Sequence, residues 1–279
     1  MTVYPQAQTD GVRVVPLYAD GRRGAPLELH PGRGPAIKDE PGTLIWRETL
    51  PDGTDAAVKL YLRGFGSWLR SRVTAFRARH EFDILLRLDA LGITCAAPLF
   101  WAHGRFSRRG WGEMLVTKWV PDSRPLTELV GRGPDGAMRP DISPVFSSVA
   151  MMHGAGLRHG TLLARNILVQ GDPASPRFFF IDMPRSHMFP RSIRGTRMAL
   201  YDLLYFCDSL APHFGRDDVK RWLTSYGMPE TQHSGFLAAL EGFRNTSRLR
   251  RLIGAEFNIR NLAANMFATP SQSRRSAGR

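Results

Sequence analysis

The chain has 279 residues, enough for one large domain or two fused lobes. Its 43% hydrophobic and 23% charged residues match an ordinary soluble globular protein and exclude a disordered, collagenous or low-complexity chain. Basic residues outnumber acidic ones 38 to 25, a formal net charge of +13, and only four of the basic residues are lysines (Lys38, Lys59, Lys118 and Lys220). Such a field favours anionic partners: phosphates, an anionic membrane surface or nucleic acid.

No apolar run approaches the roughly 18–20 residues that span a bilayer. The first residues, MTVYPQAQTDGVRVVP, show neither a basic leader nor a continuous apolar stretch, so no signal peptide is expected. Cys95 and Cys207 make no disulfide framework and stand in no metal-ligand spacing. The expected location is therefore cytoplasmic.

In chain order, the first forty residues are rich in Gly, Pro and Arg, with short apolar patches such as Val12–Leu17. Thr43–Leu50 and Ala56–Leu62 are β-rich and flank the turn Pro51-Asp52-Gly53-Thr54, which predicts a hairpin. From Ser67 to Leu91 neither Pro nor Gly occurs, and Phe82, Leu85 and Leu88 fall at helical spacing, with Gly92 as the stop. Strands are predicted at Ala97–Ala102 and Gly112–Trp119, and a break follows at Val120-Pro121-Asp122. Gly131–Pro144 reads as a surface loop and Pro144–Ala155 as an apolar helix. Ile167–Val169 and Arg177–Ile181 form a second hairpin. Helices are predicted over Arg197–Leu210 and Val219–Arg251, and residues 268–279 form a disordered tail without core residues.

Five features recur along this order. They are a turn with Gly32 and Gly34, a strand lysine (Lys59), a helix glutamate (Glu81), a loop running from His159 to Asn166, and Asp182 at the end of the apolar strand Phe178–Ile181. The order resembles the protein-kinase-like fold, an α+β architecture with a β-rich N-lobe carrying one main helix and a helical C-lobe. The resemblance implies a division into residues 1–120, the nucleotide-clamping lobe, and 121–267, the catalytic-loop lobe. It implies that Lys59 holds the phosphates of ATP, that Glu81 orients Lys59, that Asn166 and Asp182 bind Mg2+, and that Gly32 and Gly34 border the nucleotide. The physical requirement behind it is a clamp of fixed cations and oxygen ligands around a triphosphate.

Within that fold the segments Lys59–Gly64 and Ala78–Ile93, together with Asp182-Met183-Pro184-Arg185, are similar to the bacterial lipopolysaccharide kinase (Kdo/WaaP) family. That resemblance implies an ATP-dependent phosphotransferase acting on a sugar of a lipopolysaccharide core or related envelope glycan. The implied partner is an anionic glycolipid or sugar acceptor. The arginine-rich stretch Arg63–Arg79, with Phe65, Trp68 and Leu69 interleaved, reads either as a solvated face or as peripheral contact with the inner membrane surface. No nucleic-acid-binding motif is present, and nucleic acid is not the expected partner.

One departure counts against full activity. The family's loop reads His-x-Asp, and the position of the Asp is taken here by Thr161, whose hydroxyl can hydrogen-bond an acceptor but cannot serve as a carboxylate base. The alternative reading is therefore a catalytically impaired pseudokinase acting as a nucleotide-binding or scaffolding module. Gly160 stands where regulated kinases carry Arg, and the segment from Asp182 to Tyr201 is short, so switching by activation-loop phosphorylation is not expected. Asp202 is either the buried helix acid that ties down the loop backbone or a plain surface acid. His159 reads as a structural loop residue.

Overall fold

The structure is a computed structural model that describes residues 12–30, 36–40, 42–63, 77–105, 111–131, 140–210 and 213–245. Its largest sheet is antiparallel, in the order β3-β4-β5-β7-β6. The strands are β3 (Ala36–Glu40), β4 (Thr43–Thr49), β5 (Asp55–Arg63), β6 (Pro98–Arg105) and β7 (Trp111–Lys118). A short pair, β1 (Val12–Val14) and β2 (Leu27–Leu29), adds Val12, Val14 and Leu29 to the same core as one face of this sheet.

Strand alternation decides what β5 can do. Ala56, Val58 and Leu60 point to one face and pack with Trp46, Phe100, Met114 and Val116. Lys59 and Tyr61 therefore point to the other face, where helix α1 (Arg77–Ala90) lies. Lys59 pairs with Ile45 of β4 and Leu115 of β7, so its backbone sits in the middle of the sheet, bonded on both sides. The buried stripe of α1 is Ala78, Glu81, Phe82, Ile84, Leu85 and Leu88, largely at the three- and four-residue spacing of a helix face, and Glu81 is the one charged member of it. Glu113 of β7 accepts the Ala78 amide at 2.8 Å, satisfying one of the free donors at the start of the helix and placing a negative charge at its positive end.

The rest of the chain is mainly helical: α2 (Leu126–Gly131), α3 (Ser143–Gly154), α4 (Arg197–Leu210), α5 (Arg216–Tyr226) and α6 (Glu230–Asn245). Phe146 of α3 stacks on Trp222 of α5 at 5.3 Å and meets Phe206 of α4 at 5.2 Å. This core runs on without a break into the residues that bury α1. Two small sheets lie beside these helices. One has β8 (Ser123–Pro125), β10 (Ile167–Gln170) and β11 (Arg177–Phe180) in the order β11-β10-β8, and the other pairs β9 (Leu157–Arg158) with β12 (His187–Met188).

The predicted α+β architecture, a β-sheet region followed by a helical region, is the observed one. The single helix predicted over Val219–Arg251 is instead two within the described residues. Gly227, with φ +82°, ends α5 in the left-handed conformation that glycine adopts without strain, and Pro229 precedes α6. Gln170 of β10 pairs with Ser123 and Leu168 with Pro125, so the predicted second hairpin has a third strand whose proline lies on the sheet edge. The predicted loop after α2, the tail at 268–279 and the start of the Ser67–Leu91 helix fall largely or wholly outside the described residues. No helix among the described residues is long and apolar enough to cross a membrane.

Candidate active site

Three of the residues singled out in the sequence converge on one point. Lys59 Nζ donates to Glu81 Oε1 at 3.1 Å and Oε2 at 3.2 Å, and makes a further short ion pair with Asp182 Oδ1. Glu81 is 1% exposed, so its charge is stabilised by donors rather than by water. Those donors are Lys59, the Tyr61 hydroxyl on Oε2 at 2.5 Å, and the Met183 amide on Oε1 at 2.9 Å. Tyr61 is two residues past Lys59 on the same strand face, and the guanidinium of Arg77 lies 4.4 Å from the centre of its ring.

Asp182 is less buried than Glu81, with a side chain 41% exposed. Its backbone is left-handed, φ +57°, which is strained for a residue other than Gly, Asn or Asp and turns the chain abruptly out of β11. Burial works against its ionisation, but the charge and hydrogen bond of Lys59 outweigh that and hold the carboxyl below its ordinary range. Burial and the neighbouring Glu81 carboxylate push the Tyr61 phenol far up, so this group is always a donor.

The loop from His159 to Asn166 is laid down beside this cluster. Ile181 N donates to Asn166 O at 3.0 Å, which sets Asn166 next to the end of the strand that delivers Asp182. The Asn166 side-chain nitrogen donates to Thr161 O at 2.9 Å, leaving its side-chain oxygen as the end able to meet a cation. The Thr161 hydroxyl lies 3.4 Å from the carbonyl of Asp182, so the loop and the Asp182 backbone are in touch there as well.

Beneath the loop lies Asp202, fully buried on α4. It accepts the His159 amide at 2.8 Å and the Gly160 amide at 3.1 Å, with His153 Nε2 at 3.4 Å and Arg158 Nε at 3.6 Å. Burial raises its pKa; the His153 hydrogen bond and the nearby Arg158 guanidinium prevail and lower it. Of the two readings of Asp202, the buried acid that holds the loop backbone is the observed one. His159 is buried with neither ring nitrogen hydrogen-bonded, and burial lowers its pKa against the opposing pull of Asp202 and Asp182. A neutral ring packed against Phe180 agrees with its reading as a structural residue.

Gly160 has φ +79°, and a β-carbon there would stand 2.2 Å from the carbonyl oxygen of Arg185. Only glycine allows the segment after Asp182 to lie directly on the loop. Gly156 does the same under Phe189, where the distance would be 2.4 Å.

Lys59, Glu81, Thr161, Asn166 and Asp182 are thus gathered in one place, while Gly32 and Gly34 lie outside the described residues. Residues 64–76 of the arginine-rich stretch also lie outside them. Tyr61 and the Met183 amide were missed in the sequence. For Tyr61 a signal existed, since residues i and i+2 of a strand share a face; for a backbone amide 102 positions from its acceptor there was none. Among the described residues no group of three or more His, Cys, Asp or Glu side chains could hold a metal by itself. One carboxylate with an amide oxygen beside it, facing a lysine, fits instead a Mg2+ ion that takes its remaining ligands from water and phosphate.

Residues 57–226 match the profile of the lipopolysaccharide kinase (Kdo/WaaP) family. No curated protein matches the chain. Among solved structures, WaaP in complex with acyl carrier protein superposes with a TM-score of 0.58 at 20% sequence identity, covering 76% of this chain and 88% of that one. At that identity the superposition speaks for the fold.

Proposed function

Since the chain belongs to the lipopolysaccharide kinase (Kdo/WaaP) family, we propose that it transfers the γ-phosphoryl group of ATP to a sugar hydroxyl of a lipopolysaccharide core or related envelope glycan. The observation that carries this reading is the convergence of Lys59 on both Glu81 and Asp182, a cation held between a buried acid and an open one. A lysine so placed meets phosphate oxygens, and Glu81 keeps it aimed. Asp182 and Asn166 would hold Mg2+, which when bound neutralises charge on the β- and γ-phosphates. In the reaction the acceptor oxygen bonds to the γ-phosphorus and the bond to the bridging oxygen of ADP breaks.

Thr161 occupies the place where the family carries the loop Asp. Its hydroxyl can hold the acceptor by a hydrogen bond, but it takes up no proton at neutral pH, so the acceptor proton passes to phosphate oxygen or water. A positioned base is worth about 10²–10⁴-fold, while positioning and charge neutralisation carry most of a loose phosphoryl transfer. The chain is therefore a slow phosphotransferase with residues 1–120 as nucleotide lobe and 121–267 as acceptor lobe. It works in the cytoplasm, at the inner membrane surface where a lipid-linked acceptor resides. Thr161 is also the specific feature behind a second reading, a pseudokinase that binds nucleotide without transferring it.

Thermal-shift titration with Mg·ATP tests the clamp: stabilisation of the native chain that disappears in Lys59→Ala supports it, and no stabilisation at millimolar Mg·ATP rejects it. Transfer of ³²P from labelled ATP to core oligosaccharide separates the two readings. Label incorporated by the native chain supports the kinase, whereas a silent native chain that Thr161→Asp revives supports the pseudokinase.

A further inference from the structure

Two adjacent residues of α1 grip the same turn of the C-terminal half. Glu81 accepts the Met183 amide at 2.9 Å, and His80 Nε2 stands 2.7 Å from the carbonyl oxygen of Ser186. A carbonyl oxygen only accepts, so Nε2 carries the proton and donates. Between these two anchors Met183–Ser186 is a β-turn closed by Ser186 N on Met183 O at 3.2 Å, with Pro184 at the position where its fixed φ favours the turn.

The other side of the turn is bonded to the loop. Ser186 is buried, its hydroxyl donates to the His159 carbonyl at 3.1 Å, and the Arg185 carbonyl rests on Gly160. One four-residue turn thus joins α1 to the loop that carries Thr161 and Asn166. Successive residues of a helix point about 100° apart around its axis. The Glu81 bond alone would fix the turn to α1 at one point; a second from His80, directed differently, fixes the turn's orientation against the helix as well. Rolling α1 would carry Glu81 away from Lys59.

We propose that His80 is a positioning residue: through the Ser186 carbonyl it locks α1 against the 183–186 turn and keeps Lys59, Glu81 and Asp182 assembled without any modification of the segment that follows Asp182. Kinases that are switched order that segment by pairing a phosphate with arginine. Here a hydrogen bond from the helix performs the ordering, and the site is permanently set. The consequence for nucleotide rests on the ATP reading above; the lock itself does not.

The test uses the full chain with His80→Ala and His80→Gln, because the Gln side-chain nitrogen can donate from nearly the position of Nε2. Amide hydrogen exchange is followed without nucleotide in peptides covering 183–188 and α1, and Mg·ATP affinity is measured by calorimetry. Loss of one hydrogen bond is worth roughly tenfold in an equilibrium. His80→Ala should speed exchange of the Met183 and Ser186 amides by about that factor and weaken Mg·ATP binding similarly, and His80→Gln should restore most of both. Unchanged exchange in His80→Ala, or a Gln variant as defective as the Ala variant, overturns the proposal. If the native chain binds no Mg·ATP, the proposed function fails, and the exchange data alone then decide the lock.

Discussion

Tyr61 and Lys59, two residues apart on one strand face, share a single carboxylate: the Tyr61 hydroxyl reaches Glu81 Oε2 at 2.5 Å, and Lys59 reaches the same atom at 3.2 Å. Both donors are needed to keep a charge at a site with almost no water. Tyr61→Phe removes one of them and leaves the ring packing intact. It should cost about 2 kcal/mol, as hydrogen bonds to charged groups do, measured by urea unfolding at neutral pH.

Lys59 has a larger role, since Glu81 and Asp182 both depend on it. Lys59→Met leaves a buried carboxylate short of its cation and should destabilise the fold by about 3–5 kcal/mol. Adding Glu81→Gln to Lys59→Met should recover a good part of that loss, because the stranded charge is gone. Thermal and chemical denaturation of the two variants give the comparison, and a double variant no better than the single would contradict this account.

Gly160 tests the seat of the loop. Gly160→Ala sets a β-carbon into the Arg185 carbonyl and forces a left-handed backbone on alanine. A loss of about 3 kcal/mol is expected, with faster amide exchange at His159 and Gly160 as their bonds to Asp202 loosen. Gly53→Ala is the control. Its φ is +82°, but nothing lies within 4 Å of the added carbon, so it should cost only the backbone strain of about 1 kcal/mol.

Asp202 predicts a pH dependence. Its folded pKa lies below the ordinary carboxylate range, so the unfolded chain takes up the proton first as pH falls. The stability from this carboxylate is complete above its unfolded value and drains away as pH drops through the folded one. The melting temperature of the native chain should exceed that of Asp202→Asn by a constant margin above about pH 5. Below pH 4 the two should converge. A margin that stays constant down to pH 2 would show that the charge is immaterial.

Thr161→Asp should raise the rate of phosphoryl transfer by about 10²–10⁴-fold with little change in the KM for ATP, since a base acts on the acceptor side. The same variant brings a second carboxylate toward Asp182 and should melt slightly lower than the native chain.

Residues marked by their position along the chain were legible in the sequence. Lys59 on an alternating strand, Glu81 in a long uninterrupted helix and Asp182 after four apolar residues each stood out against their neighbours, and the structure brings them together. The hairpin that sets Asn166 beside Ile181 was legible too, because its apolar runs and turn lie within a few residues of each other. Contacts that depend on distant backbone were not. The His80 bond to Ser186 spans 106 positions and ends on a carbonyl, which every residue possesses and no side-chain pattern marks. Burial of Asp202 could not be separated from exposure by periodicity alone, since an acid on a helix as apolar as α4 fits either side. The split after Tyr226 was missed although Gly227 and Pro229 are ordinary stop signals, because apolar residues at helical spacing return at Phe236, Leu237 and Leu240.

Phe180, two positions before Asp182, belongs to two neighbourhoods at once. It pairs with Ile167 inside its own hairpin, and it exchanges hydrogen bonds with the strip that follows α1, Phe180 N on Thr94 O at 3.1 Å and Ala96 N on Phe180 O at 3.2 Å. The β-sheet half and the helical half are therefore stitched along this line by backbone hydrogen bonds, which any residue other than proline can make. Asp182 sits beside this line. The strand that delivers Asp182 is thus held from two directions at once, by its own hairpin and by the strip after α1.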